Sequence, residues 1–245
     1  MSILYIIATP IGNLADATPR MQEAIRSVEA LACEDTRHTG QLLSLLNIPR
    51  PPLMFSNHEF NERGTASRIV GLLNAGKDVG LCSDAGYPLI SDPGYPAVRA
   101  ALAAGHEVVP VPGASAVPLA LIKSGLPCSS YTFKGFPPRK PGARRAFLAM
   151  EVSQPHTLVF YESPFRVGKF LAEAAEVYGP RQAAVCLELT KQFERCSRGT
   201  LPELATEYQD QKIKGEAVIV IAGANPKFTA EQNTDEGDAP PAPSP

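Results

Sequence analysis

The chain is organised around Ser83-Asp84-Ala85-Gly86-Tyr87-Pro88-Leu89-Ile90-Ser91-Asp92-Pro93-Gly94. This run follows a short apolar segment, 79–82, and precedes an amphipathic segment that begins at Tyr95. The order predicts a strand, a loop and then a helix. We expect Ser91 or Asp92 to cap the helix and Pro93 to take its first position, where an amide hydrogen is not needed.

A similar arrangement recurs about one strand-and-helix unit later. The glycine-ended helix before 105 leads into a strand and then into Val111-Pro112-Gly113-Ala114-Ser115-Ala116. Consecutive units of this kind give parallel strands joined by right-handed crossovers, so both loops emerge at one carboxyl edge of a sheet. Open α/β sheets bind ligands at this edge, although ordinary strand-to-helix connections would give the same pattern.

The length of 245 residues and the 44% hydrophobic content predict a globular protein of two domains. Its five cysteines are scattered without a Cys-x-x-Cys pair, which argues against disulfides and a zinc site, so we expect no metal. The N-terminus lacks the pattern of a signal peptide, and no apolar run is long enough to span a bilayer. These features predict a cytoplasmic protein.

The formal charge of −2 is unevenly distributed. Residues 230–245 hold four acids and no base, so residues 1–229 carry +2. This is not the charge of a strongly basic nucleic-acid binder, but a local patch can still bind a polyanion. The polar, Pro-rich end at 227–245 predicts a disordered acidic tail.

Two more strand ends of the first half carry candidate site residues. The loop after the first strand contains Pro10 and Ile11, and Thr18-Pro19 predicts the start of the next helix. A short strand at 31–33 leads into Glu34-Asp35-Thr36-Arg37, with Thr36 expected to cap the following helix. From the pattern alone, the second stretch is better explained as a capped and charged helix start, but Arg37 could also hold an anion.

A basic segment separates the two halves of the chain. Residues 126–150 contain several prolines and glycines, which predict a linker or flap. Such a segment is usually only solvated, but bases mixed with aromatic residues also suit an RNA backbone. The residues that we expect to bind RNA are Lys134, Arg139, Lys140, Arg144, Arg145 and, outside the segment, Arg166.

The second half repeats the strand-loop-helix order. A strand at 157–161 ends in Glu162-Ser163-Pro164, and another at 183–187 ends in Glu188-Leu189-Thr190-Lys191. Residues 196–200 are expected to pair back as a hairpin, and Lys214-Gly215-Glu216 precedes the last strand. We therefore expect an N-terminal α/β domain at 1–125, the flap at 126–150, a C-terminal α/β domain with a mixed sheet at 151–226, and the tail.

Taken together, these motifs resemble those of the ribosomal RNA small subunit methyltransferase I family, within the tetrapyrrole-methylase-like (class III) superfamily. Seven motifs fall in family order over nearly all of residues 3–223. They are Pro10-Ile11-Gly12-Asn13-Leu14, Glu34-Asp35-Thr36-Arg37, the run 83–94, Pro112-Gly113-Ala114-Ser115-Ala116, Tyr161-Glu162-Ser163-Pro164, Glu188-Leu189-Thr190-Lys191 and Lys214-Gly215-Glu216. The chain departs from the family at Tyr87, where threonine is usual, and at Phe165, where histidine is usual.

The resemblance implies 2′-O-methylation of a cytidine in small-subunit (16S) rRNA or the assembled 30S subunit, with S-adenosylmethionine as cofactor. It also implies a homodimer whose two α/β domains hold the cofactor in the cleft between them. Catalytic candidates are Glu34, Arg37, Glu162 and Lys191. Expected cofactor contacts are Pro10, Ile11, Ser83, Asp84, Ala85, Gly86, Pro88, Ile90, Ser115, Ala116, Tyr161, Glu162, Leu189 and Ala217.

Three alternatives have different support. Methylation of a tetrapyrrole or another small molecule is disfavoured by the Thr9-Pro10-Ile11-Gly12 loop, which those enzymes replace with a glycine-rich version. A non-enzymatic RNA-binding protein is supported only by the basic segment. A nucleotide-phosphate hydrolase is weaker still, because no Gly-Lys-Ser/Thr loop is present to hold phosphates.

Overall fold

The computed structural model describes residues 2–225. Its N-terminal half contains a five-stranded sheet in the order β3-β2-β4-β1-β5, in which every pair is parallel. The predicted parallel sheet is therefore confirmed. Its strands are β1 (Ile3–Ile7), β2 (Ala30–Cys33), β3 (Leu53–Ser56), β4 (Val79–Cys82) and β5 (Glu107–Val111).

Helices cover both faces of this sheet, as a parallel sheet with buried apolar strands requires. One apolar cluster joins the strands to the third and fourth helices through residues such as Ile69 and Ala101, and another joins them to the first two through Ile25 and Leu43. The helices are α1 (Pro19–Ser27), α2 (Thr36–Leu45), α3 (Glu62–Asn74), α4 (Tyr95–Ala103) and α5 (Ala116–Ser124).

The expected start of α4 is wrong. The helix begins at Tyr95 with Gly94 as its N-cap, and neither Ser91 nor Asp92 caps it. Gly94 has φ +140°, and a Cβ there would lie 2.9 Å from a Leu81 methyl group and 3.1 Å from one of Leu89. The partly buried Leu89 packs against the core of the first sheet, and the turn at Gly94 keeps the residues before it outside the helix. Asp92 therefore does not cap α4.

Of the caps expected for the first two helices, one is confirmed and one is wrong. Thr18 caps α1, as expected, by accepting a hydrogen bond from the Met21 amide at 3.1 Å. The cap of α2 is Asp35 rather than Thr36, because the Asp35 carboxylate accepts the Arg37 amide at 2.7 Å.

The second half forms a mixed sheet, as expected, and its five strands lie in the order β6-β7-β10-β8-β9. Strands β6 and β7 are parallel, whereas the other pairs are antiparallel, including the predicted hairpin of β8 and β9. The strands are β6 (Tyr131–Phe133), β7 (Thr157–Glu162), β8 (Gln182–Leu187), β9 (Arg195–Thr200) and β10 (Ala217–Ile221). The helices are α6 (Pro141–Ala149), α7 (Val167–Tyr178) and α8 (Leu201–Tyr208).

The segment 126–150 differs from the expected linker or flap. It supplies β6, which pairs with β7, and α6, which buries Leu148 completely. The Phe147 ring also packs against that of Phe160 at 6.3 Å between centroids. These apolar residues tie the segment to the second sheet despite its prolines. The expected tail at 227–245 lies outside the described residues.

The two halves meet through α5. Its Val117, Ala120 and Leu121 form one apolar cluster with residues of the second sheet, including Val159 and Val220. Helices α6, α7 and α8 cover the opposite face of that sheet. This packing brings the carboxyl edge of the first sheet against the loops of the second. No helix within residues 2–225 has the length and apolar character needed to cross a membrane.

Candidate active site

A cavity of about 340 Å³ lies where the two halves meet. Its size is within the usual range for small-molecule sites. Most of the expected cofactor contacts line it, namely Ile11, Asp84, Ala85, Gly86, Ile90, Ser115, Ala116, Tyr161, Glu162, Leu189 and Ala217. The other three, Pro10, Ser83 and Pro88, lie outside its lining.

The loops that form the N-terminal wall are joined by hydrogen bonds. Thr9 and Gly86 exchange backbone hydrogen bonds of 2.9 and 3.1 Å, and Gly86 has φ +80°, which favours glycine. The buried Ser83 hydroxyl donates to the Gly86 carbonyl at 3.3 Å, so Ser83 supports the loop from behind. The Tyr87 hydroxyl accepts the Gly113 amide at 3.0 Å, which connects this loop to the one after β5.

The cavity is strongly acidic. Among the described residues that line it, none is Lys, Arg or His, and five carry carboxyl groups: Glu34, Asp84, Asp92, Glu162 and Glu216. Burial raises the pKa of Glu34 and Glu162, and burial together with the nearby Glu34 raises the pKa of Asp92 to about 6. A positively charged ligand would relieve the mutual repulsion of these groups.

Two carboxylates at the N-terminal wall are held by backbone amides. Glu34 Oε2 accepts the Asp84 amide at 3.3 Å, and Asp84 Oδ1 accepts the Asp35 amide at 3.2 Å. These reciprocal bonds fix the loops after β2 and β4 relative to each other. They leave the other oxygen of each carboxylate available to a ligand.

Glu162 provides a buried acceptor at the opposite wall. Its Oε1 accepts the Ser163 amide at 2.6 Å and Arg166 Nη2 at 2.5 Å. Within residues 2–225, Glu162 Oε2 is buried and has no hydrogen-bond partner. Since buried polar atoms are normally paired, this oxygen fits a donor supplied by a ligand. Arg166, which we expect to bind RNA, forms an ion pair with Glu162 in the structure.

The four catalytic candidates separate into two groups. Glu34 and Glu162 line the cavity, whereas Arg37 and Lys191 do not. Arg37 is exposed and forms a two-bond ion pair with Asp35 at 2.8 and 3.2 Å. Lys191 Nζ bonds Glu188 Oε1 at 2.9 Å and Glu216 Oε2 at 3.1 Å, so it joins loops of the second sheet beside the cavity.

The expected basic surface is smaller than the sequence suggested. Lys134 pairs with Glu151 at 2.6 Å, and the buried Arg144 makes two bonds to Glu173 at 2.6 and 2.7 Å. Arg145 pairs with Glu176 on the surface at 2.7 Å. Segment 126–150 contains five basic residues that we expected to bind RNA. In the described part of the chain, the two of them that are exposed and have no ion pair are Arg139 and Lys140. Glu173 and Glu176 on α7 pair with Arg144 and Arg145, and Glu151 pairs with Lys134.

Several lining residues were not expected from sequence. Ser163, Pro164, Gly215 and Glu216 lie within quoted motifs, so the motifs could have indicated them. Asp92 was interpreted as a helix cap. Tyr87 and Ser91 also lie within a quoted motif, the run 83–94, and Ser91 was interpreted like Asp92 as a helix cap. Phe136, Cys186 and Val218 gave no local signal, because the packing of the two halves brings them to the cavity.

The fold and cavity define a protein of the tetrapyrrole methylase class. A family described as Tetrapyrrole (Corrin/Porphyrin) Methylases matches residues 3–205. The methyltransferase CobJ has a similar structure, with TM-score 0.68 and 17% identity over 91% of this chain and 95% of that chain. Diphthine synthase is also similar, with TM-score 0.65 and 15% identity over 91% and 90%. At these identities, the two structures establish the fold alone.

Closer relatives define the family within this class. A protein of Xylella fastidiosa (strain Temecula1) is 49% identical over 224 residues, which cover 90% of this chain and 81% of the relative. A Pseudomonas aeruginosa protein is 44% identical over 90% of this chain and 78% of the relative. Both are named Ribosomal RNA small subunit methyltransferase I. The chain belongs to this family, and the resemblance found in its motifs is confirmed.

Proposed function

We propose that this chain transfers a methyl group from S-adenosylmethionine to the ribose 2′-hydroxyl of a cytidine in small-subunit rRNA. The observation that carries the proposal is the acidic cavity between the halves, in a chain 49% identical to a protein named Ribosomal RNA small subunit methyltransferase I. Fold likeness alone would leave a tetrapyrrole substrate open, since one fold supports many reactions.

The residues of the cavity fit S-adenosylmethionine. This cofactor supplies a methyl group on a positively charged sulfur, and its amino group is also cationic. Among the described residues, five carboxyl groups and no basic side chain line the cavity, which suits such a ligand. The small residues Ala85, Gly86 and Ala116 let a ligand approach the backbone, and the unpaired Glu162 Oε2 accepts a donor.

Asp92 is the residue that accepts the proton of the substrate hydroxyl. It is half-buried in the cavity wall, facing Tyr161 and Glu216 of the second half. With a pKa of about 6, its carboxylate is ionised at neutral pH and still basic enough to help remove a proton. Glu34 and Glu162 each commit an oxygen to backbone amides, which suits them to holding the cofactor.

Arg37 and Lys191 act by positioning the loops around the cavity. Arg37 holds Asp35, which caps α2 directly after Glu34. Lys191 holds Glu216, and its aliphatic stem occupies the space beside Gly12 where a Cβ would stand. Both residues therefore influence the cavity without lining it.

Methyl transfer to isolated ribosomal subunits tests the proposed function. The protein is incubated with tritiated-methyl S-adenosylmethionine and 30S subunits from a strain that lacks the corresponding gene. Nuclease digestion followed by chromatography and mass spectrometry should show 2′-O-methylcytidine. A methyl group on a base, or no transfer to either subunits or free rRNA, contradicts the proposal.

Variants of two carboxylates test the role of Asp92. At saturating cofactor, Asp92→Asn should lower kcat by about 10²–10⁴-fold, the usual contribution of a general base. Glu107→Gln is the matched control, since Glu107 is exposed at the opposite edge of the first sheet. Equal rates for Asp92→Asn and wild type would exclude Asp92 as the proton acceptor.

The wider organisation of the enzyme is part of the same proposal. The two halves act as two domains, and the chain works in the cytoplasm as a homodimer, which the family resemblance supports. Sedimentation velocity at micromolar concentration should give the mass of two chains. A single-chain mass at that concentration would refute the homodimer.

A further inference from the structure

Phe136 presents an aromatic surface at the cavity. Its ring lines the cavity and is 56% exposed, although large apolar side chains are usually buried. It packs edge-on against the Tyr161 ring at 5.5 Å between centroids, and Tyr161 packs against Phe133 at 4.8 Å. The ring of Phe136 is therefore supported from one side and accessible from another.

Phe165 is a second exposed aromatic residue, directly after two residues of the cavity wall in the chain. It follows Ser163 and Pro164, which line the cavity, and it is 82% exposed. Its short turn is held by the Arg166 amide, which donates to the Ser163 carbonyl at 2.8 Å, and by the ion pair of Arg166 with Glu162. An exposed phenyl group on an anchored backbone has no evident role in folding.

The charges around the cavity restrict how an RNA substrate can be held there. The five lining carboxyl groups repel phosphates. The nearby cations Arg166 and Lys191 are already paired with Glu162 and with Glu188 and Glu216. A nucleotide that brings its ribose to the cavity must therefore be held close to it by uncharged contacts.

We propose that Phe136 and Phe165 stack on the base of an unpaired nucleotide whose ribose enters the cavity. This inference rests on the proposed function, and it adds how the nucleotide is held. Bases of single-stranded RNA stack readily on aromatic side chains, whereas bases inside a helix are inaccessible to them. The cationic side chains of Arg139 and Lys140, which have no ion pair among the described residues, follow Phe136 after two prolines. They therefore contact phosphates away from the acidic cavity.

Two alanine variants test the stacking contact. Phe165→Ala and Phe136→Ala should each raise the KM for 30S subunits by about 5- to 100-fold, the usual effect of losing one base stack. Phe165→Tyr and Phe136→Tyr should restore the KM, because they keep an aromatic face. Phe60→Ala is the matched control, since Phe60 is 91% exposed but does not line the cavity.

Salt dependence separates stacking from phosphate contacts. The Phe165→Ala variant should keep the wild-type slope of log affinity against log salt, since no counterion is released. Arg139→Ala and Lys140→Ala should each flatten the slope by roughly 0.7. Calorimetry should give a cofactor Kd for Phe165→Ala within about twofold of wild type, because the ring does not line the cavity.

Each other outcome identifies what has failed. If wild type does not methylate 30S subunits, the proposed function fails. If wild type is active and both alanine variants, folded by thermal melting, keep its KM, the stacking inference fails. It also fails if the tyrosine variants behave like the alanine variants, or if sedimentation shows that the substitutions break a dimer, since the rings would then face a second copy.

Discussion

Cofactor binding should weaken as the pH falls, because Asp92 must lose a proton when a cation enters the cavity. In the free protein, burial raises the pKa of Asp92 to about 6, and the carboxyl groups of Glu34, Asp84 and Glu216 oppose its ionisation further. Tyr161 faces it from β7 as a neutral phenol, since burial raises the pKa of that hydroxyl to about 12. A bound cation favours the ionised carboxylate and lowers its pKa.

The expected size of the effect follows from this pKa. If binding requires ionised Asp92, the apparent Kd is multiplied by one plus the ratio of protonated to ionised Asp92. For a pKa of about 6, this factor is about 11 at pH 5 and about 1.1 at pH 7. The cofactor adds little to this change, because its carboxyl and amino groups keep their charges over most of that range. Glu34 and Glu162, whose pKa values are also raised by burial, act in the same direction.

Isothermal titration calorimetry at pH 5, 6 and 7 measures this dependence. Wild type should bind S-adenosylmethionine about tenfold more weakly at pH 5 than at pH 7, with proton release detectable from buffers of different ionisation enthalpy. Asp92→Asn should remove most of the dependence, whereas Glu107→Gln should retain it. A tenfold dependence that survives in Asp92→Asn, or an affinity that rises as the pH falls, would refute the reasoning.

Two further pairs of variants test packing. Arg144→Ala should cost about 3 kcal/mol of unfolding free energy, the lower end of the range for buried pairs, because it removes a buried guanidinium and leaves the partly buried Glu173 without its ion-pair partner. Chemical denaturation should show less than about 1 kcal/mol for its neighbour Arg145→Ala, whose ion pair is exposed. Similar losses for both would mean that burial does not distinguish the two pairs. Gly215→Ala should weaken cofactor binding several-fold by calorimetry, since a Cβ there would collide with a glutamate side chain. Gly76→Ala, with a similar φ but open space, should cost about 1 kcal/mol and leave cofactor binding intact, and equal cofactor affinity in both would contradict the steric argument.

The local pattern of the sequence predicted much of the fold. Alternating apolar runs, Gly-ended helices and the Thr18 cap act over a few residues, so their outcome hardly depends on the rest of the chain. Parallel pairing then requires the loops after β1, β4 and β5 to share one edge. For this reason, most of the expected cofactor contacts of the first half lie together at one wall of the cavity.

Other features depend on residues that are distant in sequence. Whether Asp92 caps a helix or lines a cavity is decided by the burial of Leu89 and the turn at Gly94. Phe136 reaches the cavity only because β6 joins the second sheet, a pairing that the prolines of 126–150 obscured.

The sequence by itself determined the strand, loop and helix order of the first half, the family and the residue types at the strand ends, since these follow from local chemistry and motif order. Only the tertiary structure decided which charged side chains form ion pairs and which remain available to a ligand. Arg144 and Glu173 lie 29 positions apart, yet packing of α6 on α7 turns an expected RNA contact into a buried ion pair. Charge interactions depend on distance in space and on burial, and neither quantity is contained in a local pattern.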